Sequence, residues 1–253
     1  MSKKIIGVLH LAEFPKDNKE NNLQAIKQRA LDDLSALQSG GVGAVLIENE
    51  FEGHKSPYGE FLTLSQRKSM LEIVAFLRPY IVVPFGFCIL LNDYKTAFLL
   101  AKKFGGEFIR LDTFVDSVER ISDGIKIITF PKKIIEFRKK IGASSVQIWA
   151  DVHVKHTKLL SKYSLVESAR LAIRKGASKI IITGDWTGKP PKTTDLERIA
   201  KSLPRKSLVI GSGINRKNIS KCKKYVDTFI IGSAFKKDGK VDTSKVRIVT
   251  GIF

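Results

Sequence analysis

The chain has 253 residues, 44 Lys and Arg against 25 Asp and Glu, and a formal charge of +19. A hydrophobic fraction of 43% excludes a disordered chain, and two widely spaced cysteines, Cys88 and Cys222, exclude a disulfide scaffold or a zinc cluster. Residues 1–124 hold 15 basic and 16 acidic residues, a net of −1, and residues 125–253 hold 29 and 9, a net of +20. The cationic half points to anionic partners: phosphorylated small molecules, nucleic acid or a membrane surface.

The first apolar run, 5–9, follows Lys3 and Lys4 and ends at His10. It is too short for a signal peptide and lacks a small-residue cleavage site, so a cytoplasmic location is expected. Seven further β-branched runs follow, at 44–48, 81–87, 107–111, 145–151, 179–183, 207–211 and 228–232. They are continuously apolar, as parallel strands covered on both faces are. Between them the apolar spacing predicts helices over 23–38, 64–77, 94–104, 131–141, 165–175, 193–203 and 215–223, and a last one from Thr243. Eight strand–helix units in this length are the arithmetic of a single α/β (β/α)8 (TIM) barrel spanning residues 1–253. The linkers support it. Helix-to-strand turns are short and glycine-bearing, whereas the strand-to-helix loops 10–22, 49–63, 112–129 and 184–192 are long. Long loops on one rim place the site at the strand C-termini.

Two Gly-Ser turns, Gly211-Ser212-Gly213 and Gly232-Ser233, follow the seventh and eighth runs. In such barrels these positions build a phosphate site, because glycine lets the backbone approach the anion and free N–H groups point at it. The other candidates also sit at strand ends. His10 is a general acid/base or an anchor of the first loop. Glu48 and Asn49 suit a sugar hydroxyl, a metal or a proton, or Glu48 pairs with Arg110 or Lys155. Arg110 is a partner for carboxylate or phosphate. Asp93 caps the helix that follows it. Asp151 suits a base or metal ligand, Lys155 a Schiff base or an anion contact, and His156 a proton shuttle. His153 completes D-x-H-x-x-H, for which a structural role outweighs metal binding. Thr183, Gly184 and Thr187 can hold ligand through backbone and hydroxyl groups, and Trp186 can stack on a ring. The spacing around Gly188-Lys189-Pro190 is not that of a P-loop.

These motifs, with Ile6-Gly7-Val8-Leu9-His10-Leu11, Phe108-Ile109-Arg110, Ala150-Asp151-Val152-His153-Val154-Lys155-His156 and Phe235-Lys236-Lys237-Asp238-Gly239, resemble the BtpA family nearly end to end. The resemblance implies a barrel similar to phosphoribosylanthranilate isomerase and other ribulose-phosphate-binding barrels. The family name refers to photosystem I biogenesis, and other members look like enzymes of sugar or nucleoside contexts. The first loop here reads His10-Leu11-Ala12-Glu13-Phe14-Pro15-Lys16, where the family reads like H-L-P-x-L-P-G. Residues 112–118 lack the glycine often found there. The related isomerases are expected to use a Cys as base at the end of strand one; this chain has His10, which argues against that isomerisation.

The expectation is therefore an enzyme acting on a phosphorylated sugar or nucleotide-like molecule. His10, Glu48, Asp151, Lys155 and His156 would be the chemical groups. Asn49, Arg110, Thr183, Gly184, Thr187 and the two Gly-Ser turns would bind the substrate. The reaction is an isomerisation, a C–C or C–N lysis, or a hydrolysis. No cofactor is expected; a divalent metal near Asp151 is the lesser alternative. The competing reading is a non-catalytic assembly factor that meets a membrane surface or protein through the basic half. Nucleic acid ranks below both, since no aromatic residues interleave with the bases. Abundant Lys and Ile with scarce Gln fit a thermophilic source.

Overall fold

The computed structural model of the chain describes residues 4–14, 20–49, 54–56 and 59–252. Its strands are β1 (Lys4–His10), β2 (Ala44–Glu48), β3 (Phe85–Cys88), β4 (Phe108–Leu111), β5 (Gln147–Val152), β6 (Lys179–Ile182), β7 (Leu208–Ile210) and β8 (Thr228–Ile231). All pair in parallel and in chain order, and β1 pairs with β8 to close the barrel. The expected (β/α)8 architecture is therefore present. The helices are α1 (Glu20–Ser39), α2 (Leu64–Leu77), α3 (Tyr94–Phe104), α4 (Pro131–Lys140), α5 (Leu165–Arg174), α6 (Thr193–Ala200), α7 (Ile219–Cys222) and α8 (Thr243–Thr250). None among the described residues is long and apolar enough to cross a membrane.

Strand alternation sorts the core into two layers. Leu9, Val45, Ile47, Ile109, Ile148 and Ile180 face outward and pack with the helices. Ile6, Val8, Ala44, Leu46, Phe108, Trp149, Ile181, Val209 and Ile230 fill the barrel. Phe108 and Trp149 stack inside it, with centroids 3.9 Å apart and planes 12° from parallel. Gly86 makes room for that stack: a Cβ there would lie 2.5 Å from the Phe108 carbonyl oxygen. Helix ends follow local chemistry. Thr63 and Ser164 close capping boxes on α2 and α5, and Gly105 ends α3 at φ 82°.

Three expectations shift. The third run begins at Phe85 rather than at 81, because Arg78–Tyr80 forms a 3-10 turn and Pro84 has no N–H to donate; the Pro84 carbonyl still accepts from Val45. Helix α6 ends at Ala200 instead of 203. Helix α7 shrinks to one turn because Asn215 and Asn218 use their side chains on the nearby backbone: Asn218 accepts from Asn215 N–H and donates to the Gly213 carbonyl, and Asn215 accepts from Lys217 N–H. The long rim loops also hold small strands that the apolar pattern does not announce. Val118–Arg120 pairs with both Lys126–Ile127 and Thr157–Leu159. His54–Ser56 pairs with Gly59–Phe61, and Lys236–Lys237 with Lys240–Val241. Parts of the loops at 10–22 and 49–63, including Pro15 and Lys16, lie outside the described residues.

Gly86→Ala is expected to lower stability by about 1–3 kcal/mol in urea unfolding, since the methyl group meets backbone that cannot rotate away. An unchanged midpoint would show that the barrel interior is not packed around the Phe108–Trp149 stack.

Candidate functional site

The inward alternation that fills the barrel with apolar groups delivers polar ones at the strand ends. His10, Glu48 and Cys88 stand side by side across β1, β2 and β3. On β4 and β5 Arg110 is level with Trp149, and Asp112 and Asp151 each lie two residues further along on the same side. Arg110 is buried, and its Nε and Nη2 donate to the two Asp151 oxygens at 2.9 and 2.8 Å. Its Nη1 lies 3.6 Å from Glu48, and Nη2 lies 4.0 Å from Asp112. Glu48 in turn lies 3.7 Å from His10 Nε2. Three carboxylates thus converge on one guanidinium.

The electrostatics follow from that count. Burial alone would lower the Arg110 value, but the charge and hydrogen bonds of Asp151 overcome it and raise it well above normal, so Arg110 stays charged. Burial, then the Asp112 and Glu48 charges, push the Cys88 thiol up and keep it neutral. Burial raises Asp112 most; Arg110 opposes, and Asp151 and Glu48 raise it further, so its carboxyl is pushed up to about 7. Asp112 Oδ2 and Thr113 Oγ1 are buried without a hydrogen-bond partner among the described residues. The chain there is fixed by Asn92, at φ 67°, whose Oδ1 accepts from Thr113 N–H.

A cavity of about 630 Å³ opens over this cluster. His10, Glu48, Arg110, Asp112 and Lys155 form one side of its wall, and Gly211–Gly213 with Gly232 and Ser233 another. Leu90, Ile127 and Val154 supply apolar wall. The hairpin of Val118–Arg120 and Lys126–Ile127 leans over the cavity, held down by Val118, Ile127 and Val154. Lys155 has no ion-pair partner among the described residues. The backbone N–H groups of Ser212, Gly213 and Ser233 likewise meet no protein acceptor among them.

The glycines have a more specific reason than closeness to an anion. A Cβ on Gly232 would stand 2.7 Å from His10 Cε1, so this glycine leaves space for the imidazole. Gly213, at φ 67°, would collide with the Lys189–Pro190 backbone at 2.1 Å. The loop after β6 therefore rests directly on the turn after β7. It is tied to the β5 loop as well. His156 Nε2 accepts from Thr187 N–H at 3.3 Å and lies 2.9 Å from Thr187 Oγ1, the Trp186 ring meets the imidazole edge-on, and Ser212 Oγ donates to the Trp186 carbonyl. Partial burial of the ring, then the Lys155 charge, lower the His156 value and favour the neutral acceptor.

The structure thus gathers His10, Glu48, Arg110, Lys155, His156, Thr187 and both Gly-Ser turns around one cavity. Other candidates stand behind its wall. Asp151 is buried and holds Arg110 through two hydrogen bonds. Asn49 accepts from Leu90 N–H and positions the β3 loop. Thr183 and Gly184 are buried at the end of β6, where Gly184 packs on Lys189. His153 turns away: its Nε2 meets the Tyr163 carbonyl and its N–H donates to Asp116. Asp93 caps α3 through Thr96 N–H, as expected of it. No group of three or more His, Cys, Asp or Glu among the described residues has the geometry to hold a metal ion. Sequence reasoning missed Asp112, Cys88 and Thr113. Asp112 carried a usable signal, since strand alternation puts it on the Arg110 side.

The sequence model described as the BtpA family matches residues 1–252. The chain is 30% identical over 241 residues to the photosystem I biogenesis protein BtpA of Synechocystis, covering 94% of this chain and 82% of that one. It is 26% identical over 241 residues to the putative sgc region protein SgcQ of Escherichia coli, covering 94% and 87%. Among solved structures it resembles a mutant tryptophan synthase alpha-subunit from Pyrococcus furiosus, with TM-score 0.63, 15% identity and coverage of 99% and 98%. It also resembles N-(5'-phosphoribosyl)anthranilate isomerase from the same organism, with TM-score 0.56, 12% identity and coverage of 97% and 96%. The structural likeness is one of fold.

Two outcomes test this geometry. Arg110→Met is expected to cost about 3–5 kcal/mol in urea unfolding at neutral pH, with much of it regained on adding Asp151→Leu; a single variant as stable as the parent would mean the carboxylates need no counter-charge. Because the folded His156 value is depressed, its contribution is present above the ordinary 6.5 and is lost as pH falls through the folded value. The hydrogen-exchange protection factor of the Thr187 amide should therefore drop on acidification, and a constant factor would contradict the clasp.

Proposed function

Because the chain belongs to the BtpA family, and its barrel mouth has a cation and free N–H groups beside an acid/base cluster, we propose that it is an enzyme acting on a phosphorylated sugar or nucleotide-like small molecule. The observation that carries this is the division of the cavity wall. On one side the N–H groups of Ser212, Gly213 and Ser233, which meet no protein acceptor among the described residues, offer donors to a dianion, and Lys155 on the wall opposite adds a positive charge to the same cavity. On the other, His10, Glu48, Arg110 and Asp112 offer groups that take or give protons and one fixed positive charge. The cavity volume of about 630 Å³ lies in the range of small-molecule sites. Support also comes from the names of barrels of like fold, a phosphoribosylanthranilate isomerase and a thiamine phosphate pyrophosphorylase.

In this reading the phosphate is bound between the turns after β7 and β8, and the reacting carbon skeleton lies over Arg110. His10, with Glu48 beside it, moves a proton, and Arg110 neutralises the charge that develops. The clasped loop 184–190 borders the site through Thr187 and Gly188.

The name of the Synechocystis relative favours a second reading, a non-catalytic assembly factor that meets a membrane surface or protein. The exposed Lys132, Lys133, Lys139 and Lys140 of α4 would then matter more than the mouth. Co-sedimentation with anionic liposomes that is lost on changing these lysines to Glu, and kept in His10→Ala, would support it.

Ribose 5-phosphate is the probe for the first reading. At about 100 times its Kd it should stabilise the protein by about 2.7 kcal/mol, seen as a rise in Tm, and ribose should not. Ser212→Asp and Ser233→Asp should abolish the rise by placing an anion where the phosphate lies. No shift with any phosphorylated sugar would count against the assignment.

A further inference from the structure

One carboxyl group at the mouth has no work in the packing of the barrel. Asp112 is buried, and its Oδ2 has no hydrogen-bond partner among the described residues although it borders the cavity. A buried, unpartnered carboxylate oxygen is costly as an anion, and the cost disappears if the oxygen carries a proton and has a ligand atom to donate to. The surroundings decide which form is present. Arg110 faces Asp112 from its own strand, but both of its strongest donors are spent on Asp151. Glu48 from β2 and Asp151 from β5 add negative charge, the Cys88 thiol of β3 is neutral, and Lys155 from the β5 loop is the remaining cation. Two positive groups therefore face three carboxyl groups. Glu48 and Asp151 hold the closer contacts to Arg110, so the third carboxyl is the one left to bind a proton.

We propose that Asp112 is the proton carrier of the barrel mouth: its carboxyl binds a proton in the empty cavity, and the Oδ2–H so formed is the donor presented to an oxygen or nitrogen of the bound molecule. This rests on the reading of the mouth as a phosphorylated-ligand site and adds the position of the ligand's acceptor atom. Arg110 Nη2 lies 4.0 Å from Asp112 and would lie 3.8 Å from a Cβ on Gly211, the residue that opens the phosphate turn. The ligand's acceptor and its phosphate therefore flank the same guanidinium. A phosphorylated sugar with a carbonyl or ring oxygen a few bonds from its phosphate has that shape. When the proton passes from Oδ2 to that acceptor, Asp112 becomes an anion beside Arg110 and the ligand gains one positive charge. The proton returns when the ligand's acceptor releases it.

The test is infrared difference spectroscopy of the full chain between about pH 5.5 and 8.5, where ordinary exposed carboxylates stay ionised and histidines give no carboxyl band. The expected result is one protonated-carboxyl C=O band that disappears with a midpoint of about 7 and is absent in Asp112→Asn. Should Asp112→Asn fail to fold, Glu48→Gln decides: the band should persist with a lower midpoint, because one of the charges that raises it is gone. No such band, or one that survives Asp112→Asn or vanishes in Glu48→Gln, overturns the proposal. Ribose 5-phosphate added at about pH 6 should shift the band. Binding seen by Tm without a band shift overturns the donor role alone. No binding at all overturns the phosphate reading, and the titration still decides where the proton sits.

Discussion

The site depends on how one buried guanidinium is shared. Arg110 holds Asp151 through two hydrogen bonds and stands near Glu48 and Asp112 at the same time. A cation in this position lets β2, β4 and β5 end in carboxylates inside a closed barrel, which would otherwise repel one another in a low-dielectric setting. It also sets the character of each partner. Asp151 is tied up, Glu48 is left to face His10, and Asp112 keeps one oxygen without a hydrogen-bond partner among the described residues. Even the turn after β7 answers to it, since a side chain on Gly211 would project toward Ile181, Thr183 and Arg110.

Above that layer, the roof is made of loops that hold one another. Val118–Arg120 joins the β4 and β5 loops into a small sheet. His156 and Thr187 join the β5 and β6 loops, and the Lys189–Pro190 backbone rests on Gly213, whose carbonyl is held by Asn218. Four successive loops are thus linked by polar contacts, few of them deeply buried. Such contacts open at lower cost than the barrel beneath them.

The barrel was legible because its signals are local. Continuous apolar runs mark strands covered on both faces, and glycines such as Gly105, Gly142 and Gly176, all at positive φ, end helices where the turns are short. Site residues at strand ends were legible for the same reason. Their partners were not. Arg110 and Asp151 are 41 residues apart, and barrel register sets Arg110 level with Trp149 and Asp151 two residues further on, within reach, which no local pattern encodes. Asp112 was readable only by carrying alternation one step past the strand. The turns after β7 and β8 stood out as glycine-rich, but that Gly232 spares the His10 ring required the fold. The 81–84 segment and α7 departed from expectation where Pro84 and the Asn215–Asn218 side chains override the apolar pattern.

The charge asymmetry of the sequence divides in the same way. The half with a net of +20 begins between β4 and β5 and carries Lys155 and both Gly-Ser turns, yet the lysines of α4 are exposed on the outside of the barrel. The lysines of that half that line the mouth are Lys155 and Lys236, and Lys155 has no ion-pair partner among the described residues. The central claim, that the mouth is a phosphate-ligand site organised around Arg110, is tested most directly by a crystal structure with ribose 5-phosphate. It predicts phosphate density within hydrogen-bonding reach of the Ser212, Gly213 and Ser233 N–H groups and Lys155, with the sugar over Arg110. Phosphate density on the exterior lysines and an empty mouth would contradict it.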